Sequence, residues 1–120
     1  MAKVMVVDDA LADLKLIENI LQAGGHRVVC CAGGVELEAQ VVQERPDVLL
    51  LDIVMPDRNG YEILRALKRD PRTTHLPVIL VSSKNQESDR VWGKRQGAAD
   101  YLGKPFSSEQ LLSAVRGQIG

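Results

Sequence analysis

Short, almost wholly apolar runs alternate along this chain with longer segments of helical period, and that alternation restricts the fold more than any other feature. Runs of this kind suit strands buried on both faces, and strands alternating with helices build a parallel sheet through right-handed crossovers. The runs predict strands at Lys3 to Asp8, Arg27 to Cys31, Val48 to Asp52, Val78 to Ser82 and Asp100 to Leu102. Between and after them, Leu14, Ile17 and Leu21 share one helical face. So do Leu37 and Val41, then Ile63, Leu64 and Leu67, then Leu111, Leu112 and Val115. Gly24-Gly25, Gly33-Gly34 and Asn59-Gly60 punctuate the pattern, and Ser107 with Gln110 forms a capping box for the last helix. The segment Asn85 to Gln96 makes the weakest helix. It carries Gly93 near its middle, offers only Val91 and Trp92 as an apolar face, and is expected to be the most mobile.

The expected fold is therefore α/β, a doubly wound five-stranded parallel sheet of order 2-1-3-4-5 in a flavodoxin-like three-layer sandwich. A chain of 120 residues suits one domain, and 45% hydrophobic residues with only 3% aromatics call for a core of Val, Ile, Leu and Ala. Fifteen basic against sixteen acidic residues, a net charge of -1, leave no general basic field for nucleic acid. The N-terminus lacks the pattern of a signal peptide and no run is long enough for a membrane span, so a cytoplasmic protein is expected. Cys30 and Cys31 are adjacent with no second pair, and read as small thiols buried or half-buried on a strand rather than as a zinc site or disulfide. His26 and His75 are expected at the surface.

In that strand order the first and third strands are neighbours from which the chain winds in opposite directions, so a ligand site belongs at their C-terminal ends. The first strand ends in Asp8-Asp9, the third in Asp52 and the fourth in Ser82-Ser83, and the fifth is followed at once by Lys104-Pro105. Three converging carboxylates repel one another, so one must hold its proton or a cation must sit among them. A hard divalent ion, Mg²⁺, suits such an oxygen-only site. Adding a lysine and a hydroxyl makes a receptacle for a phosphoryl group, whose transfer needs positioning and charge neutralisation. Asp52, alone at the end of the central strand before Pro56-Asp57-Arg58-Asn59-Gly60, is the best carboxylate nucleophile. Asp8 and Asp9 point in different directions and suit holding a metal directly and through water. Singly, each element has a plainer role: helix N-caps for the Asp pair, a solvated lysine and turn proline at Lys104-Pro105, strand-end or loop caps for the rest. Four strand ends meeting at the predicted switch point favour the site.

These residues resemble the receiver domain of two-component response regulators, the chemotaxis-Y-like family, over essentially the whole chain. The matching stretches are Val6-Val7-Asp8-Asp9, Leu49 to Asp57 with Gly60, Val78 to Ser83, and Gly97 to Phe106. The resemblance implies that Asp52 accepts a phosphoryl group from a sensor histidine kinase. It implies Mg²⁺ held by Asp9, Asp52 and the backbone carbonyl of Val54, with Asp8 acting through water. Lys104 would pair with one phosphoryl oxygen and Ser82 would move to bond another, leaving a gap that Tyr101 fills by turning inward. That change would alter the face made by the fourth helix, fifth strand and fifth helix, where a downstream partner binds. The Lys104-Pro105 bond is expected to be cis. Such a protein catalyses only its own phosphoryl transfer and hydrolysis. The stretch Ser83 to Gln86, with Asp89 to Ala98, is similar to the PilH-like receivers of type IV pilus twitching and phototaxis systems. There Arg90, Lys94 and Arg95 suggest a basic strip that meets an acidic partner. Residues 1–120 read as one receiver, and an end at Gly120 suggests a stand-alone switch without an output domain.

Other readings stay open. A Mg²⁺-dependent aspartyl-phosphate phosphatase needs a second Asp two residues beyond the nucleophile, where this chain has Val54. A flavin or nucleotide binder needs a phosphate loop after the first strand, which Ala10-Leu11-Ala12 does not supply. An unphosphorylated scaffold receiver is a third. Ser82 stands where threonine is common and Ser83 where alanine is frequent, while Val54 and Lys84 occupy the positions that tune dephosphorylation in the family. An apolar Val54 cannot orient an attacking water, so self-hydrolysis is expected to be slow. Decay of the phosphorylated protein, followed by intact mass, should be faster in Val54→Asn than in the parent chain.

Overall fold

The computed structural model describes residues 2–119. Strands and helices alternate throughout: β1 (Lys3–Val7), α1 (Leu11–Ala23), β2 (Arg27–Cys31), α2 (Leu37–Glu44), β3 (Val48–Asp52), α3 (Gly60–Arg69), β4 (Val78–Ser82), α4 (Glu87–Arg95), β5 (Asp100–Gly103) and α5 (Ser108–Arg116). The five strands form one parallel sheet in the order β2-β1-β3-β4-β5. The doubly wound α/β expectation is met, with β1 ending at Val7 rather than Asp8 and β5 reaching one residue further, to Gly103.

Successive residues on a strand point to opposite faces, and here both faces are buried. Val4, Val6, Val48, Leu50, Ile79 and Val81 meet α1 and α5 through Leu14, Ile17, Leu21, Leu111 and Val115. Met5, Val7, Leu49, Leu51, Val78 and Leu80 meet α2 and α3 through Leu37, Val41, Ile63, Leu64 and Leu67. Each fully buried aliphatic side chain contributes roughly 1.5–3 kcal/mol. The two layers therefore hold the strand register firmly.

The caps agree with the sequence at α5, where Ser107 Oγ accepts the Gln110 N–H at 3.0 Å and Gln110 Oε1 accepts the Ser107 N–H at 2.8 Å. Helix α4 differs from expectation. Val91 and Trp92 are 42% and 49% exposed, and the only buried residue of the helix is Gly93. A Cβ at Gly93 would lie 2.9 Å from Leu80 Cδ1 and 3.0 Å from Tyr101 Cδ2, so the missing side chain lets the helix backbone settle on the Tyr101 ring. That approach turns the neighbouring apolar residues outward.

Two smaller expectations are also corrected. Cys30 is exposed, because β2 is an edge strand, while Cys31 is half-buried and donates to Gln40 Oε1 at 2.9 Å. His26 is buried rather than at the surface. The turn through Gly25 (φ +89°) brings it under the chain start, where its Nδ1 accepts the Ala2 N–H at 3.2 Å. Burial, with the N-terminal charge and Arg116, lowers its pKa.

Gly60 opens α3 beneath the end of β3, its N–H donating to Ile53 O at 2.8 Å. A Cβ there would fall 2.3 Å from Asp52 O and 2.8 Å from Ile53 Cα, both backbone atoms that cannot step aside. Gly60→Ala should therefore cost about 2–3 kcal/mol, read as a lower urea midpoint at unchanged slope.

Candidate functional site

The sheet register assembles the site. Val7 pairs with Leu51, so Asp8 comes level with Asp52, and Ser82 pairs with Gly103, so Lys104 follows at the same edge. Alternation continued past the strand ends puts Asp8, Asp52 and Lys104 on the α1/α5 face, and Ser82 with Tyr101 on the other. Asp8 is 1% exposed and Asp52 8%, while Asp9 is exposed. One oxygen from each of the three lies within 4.8 Å of the others. Asp8 does not take the N-cap role foreseen for it, since α1 is capped at Ala10 without a side-chain bond; its Oδ1 instead accepts the Ala10 N–H at 2.9 Å in the turn ahead of the helix.

Lys104 crosses to this cluster from the far strand. Its Nζ donates to Asp8 Oδ2 at 2.7 Å and to Asp13 Oδ2 at 2.8 Å. Burial works against the ammonium, but the hydrogen bonds it donates to Asp13 and Asp8 and the charge of Asp52 more than offset it and raise its pKa. Asp13 was not singled out in the sequence. Its only signal is its place in the first turn of α1, just before the inward-facing Leu14.

The Asp52 carboxyl is pushed up to about 6, first by burial and then by the Asp8 charge, with Lys104 pulling the other way. Three carboxylates against one ammonium leave a surplus of negative charge in a set of oxygen donors. The residues therefore fit a hard divalent cation, which would neutralise that surplus.

The loop after Asp52 is pinned on both sides. Met55 is buried in the α2/α3 core while the Val54 side chain is 56% exposed. Asp57 Oδ2 accepts the Gly34 N–H at 2.7 Å, and Arg58 donates to Gly34 O at 3.2 Å and to Glu38 Oε2 at 2.9 Å. This link between the loop after Asp52 and the start of α2 was not legible in the sequence, since its partners stand twenty or more residues apart.

On the other face, Ser82 is 1% exposed and its Oγ accepts the Lys84 N–H at 3.1 Å. The Lys84 side chain points to solvent, and its backbone carbonyl accepts the Tyr101 hydroxyl. Tyr101 was expected to turn inward as part of switching, and in this structure it is already inside, 3% exposed. Arg90 lies 5.5 Å over the ring centroid, donates to Tyr101 O at 3.1 Å and pairs with Asn85. Arg90 is thus engaged within the fold, leaving Lys94 and Arg95 as the exposed members of the expected basic strip. The Lys104-Pro105 bond is cis.

Comparison with known proteins gives a consistent result. The family model described as "Response regulator receiver domain" matches residues 4–116. The chain is 45% identical over 115 residues to Protein PilH of Pseudomonas aeruginosa, covering 96% of this chain and 95% of that protein. It is 37% identical over 115 residues to Response regulator PleD of Caulobacter vibrioides, covering 96% of this chain and 25% of the relative. Among solved structures, the chemotaxis protein CheY4 of Vibrio cholerae superimposes with a TM-score of 0.91 at 30% identity, over 99% of both chains.

The raised Asp52 pKa has a direct consequence for stability. A carboxyl at 3.8 when unfolded and about 6 when folded favours the folded state in its protonated form. That contribution is complete below about pH 4 and is lost as pH rises through about 6. In magnesium-free buffer at pH 7.5, Asp52→Asn should therefore be more stable than the parent, read as a higher urea midpoint. Urea melts repeated near pH 3.5 should show that advantage gone.

Proposed function

This chain belongs to the response regulator receiver family, and from that premise we propose that it is a phospho-acceptor switch in which Asp52 takes a phosphoryl group from a sensor histidine kinase. The observation that carries this reading is the placement of Asp52. It lies at the end of the central strand, nearly buried, within 4.8 Å of Asp8 and Asp9 and in the field of Lys104. In the transfer an Asp52 oxygen attacks phosphorus, the bond from phosphorus to the donor's imidazole nitrogen breaks, and the imidazole departs with that electron pair.

Asp8, Asp9, Asp52 and the carbonyl of Val54 are the groups that would hold Mg²⁺. When bound, the ion supplies charge neutralisation for the anions at Asp52. Lys104 supplies a second positive charge that the protein itself carries to the site. Ser82, on the side of the sheet away from Lys104, offers its hydroxyl to a phosphoryl oxygen by giving up the Lys84 N–H it now accepts. Because the Lys84 carbonyl also receives the Tyr101 hydroxyl, movement at Ser82 reaches Tyr101 and then α4 through Gly93 and Arg90. The partner reads the face formed by α4, β5 and α5, which carries exposed Val91, Trp92, Lys94 and Arg95. Catalysis is confined to the protein's own phosphorylation and dephosphorylation. The solvent-directed Val54 supplies no second acid of the kind an aspartyl-phosphate phosphatase needs.

Likeness to PilH supports a place in type IV pilus motility or phototaxis control. A cytoplasmic location fits that role, and among the described residues no helix is long and apolar enough to cross a membrane. Incubation with acetyl phosphate and Mg²⁺ should add one phosphoryl group by intact mass. The addition should be absent in Asp52→Asn and abolished by a chelator. A parent chain that stays unmodified under these conditions would overturn the proposal.

A further inference from the structure

We propose that Asp13 is a positioning residue that tethers the Lys104 ammonium beside the acceptor pocket and so sets how readily Lys104 reaches an anion at Asp52. This rests on the reading of Asp52 as phospho-acceptor. An ammonium has three N–H donors, and in this structure two are committed, to Asp8 Oδ2 at 2.7 Å and to Asp13 Oδ2 at 2.8 Å. The two acids sit in different surroundings. Asp8 is nearly fully buried and belongs to the carboxylate cluster. Asp13 stands on the first turn of α1 with its side chain 43% exposed. It borders, with Lys104, Leu16, Ser83, Pro105 and Phe106, a separate cleft of about 330 Å³.

Asp13 is therefore an alternative counter-ion outside the cluster, on the helix that covers the same sheet face as Asp52. Whatever attraction it exerts on Lys104 must be partly surrendered when Lys104 turns to a phosphoryl oxygen. It also draws the lysine's charge away from the three carboxylates, which leaves them more receptive to a cation. A half-exposed ion pair supports effects of about two- to fivefold, in opposite directions for the two ligands.

The test compares the parent, Asp13→Asn and Asp13→Glu. The Mg²⁺ dissociation constant is measured by titration, and the KM for acetyl phosphate at saturating Mg²⁺ is measured by intact mass. Asp13→Asn is expected to weaken Mg²⁺ binding about two- to fivefold and to lower the KM by a similar factor at unchanged kcat. Asp13→Glu should restore both. The Mg²⁺ titration is repeated with Lys104→Met in both backgrounds, where Asp13→Asn should lose its effect because nothing remains to be tethered. An effect that persists without Lys104 shows a bare charge acting at a distance and overturns the proposal. So does an Asp13→Asn variant, folded by circular dichroism, whose Mg²⁺ affinity and KM match the parent. A parent that takes up no phosphoryl group rejects the acceptor reading instead, and the Mg²⁺ cycle still decides whether Asp13 acts through Lys104.

Discussion

Repulsion between Asp8 and Asp52 is the constraint around which the rest of this molecule is arranged. The two carboxyls are almost buried on adjacent central strands, and parallel register brings them level. No local preference puts them there. They are held by aliphatic layers on both sides of the sheet, whose summed burial greatly exceeds what one unfavourable charge pair costs. Burial first and then the Asp8 charge raise the pKa of Asp52, and Lys104 reaches across from β5 to Asp8. A site that is short of positive charge in its own fold suits a hard divalent cation.

Strand alternation then divides the labour. The charged half of the site, Asp8, Asp52 and Lys104, lies over α1 and α5, while Ser82 and Tyr101 lie on the opposite face, where Tyr101 meets α4 at Gly93. Charge is managed on one face and shape on the other. The shape half is lightly held, because α4 buries only Gly93 and is tied to Tyr101 by the Arg90 contacts. An element with so little buried apolar surface is displaced at little cost. Val91 and Trp92 lie exposed on its outer side.

Much of this was legible in the chain itself, for physical reasons. Buried parallel strands read as unbroken apolar runs because both faces are covered, which is why β3 and β4 were bounded correctly. The convergence of Asp8, Asp9 and Asp52 followed from strand order alone, since the switch point lies where β1 and β3 meet. Other features depend on side chains that meet across distant segments. Arg58 with Glu38, Asp13 with Lys104, and Gly93 with Tyr101 have no signature in spacing, because their partners belong to different elements. Trp92 and Val91 misled in the same way. An apolar pair on a weak helix looks like a core face until a glycine is found to make the closer approach.

What the sequence determined by itself was the alternation of elements, the doubly wound sheet and the residues delivered to its C-terminal edge. These follow from periodicity and from the handedness of crossovers, both local or topological properties. Only the tertiary structure decided how those residues are paired. It set Lys104 between Asp8 and Asp13, raised Asp52, carried Tyr101 inside and turned Trp92 outward. Pairing depends on distances of a few ångströms between side chains from different strands and helices, and these come into being when both layers close on the sheet.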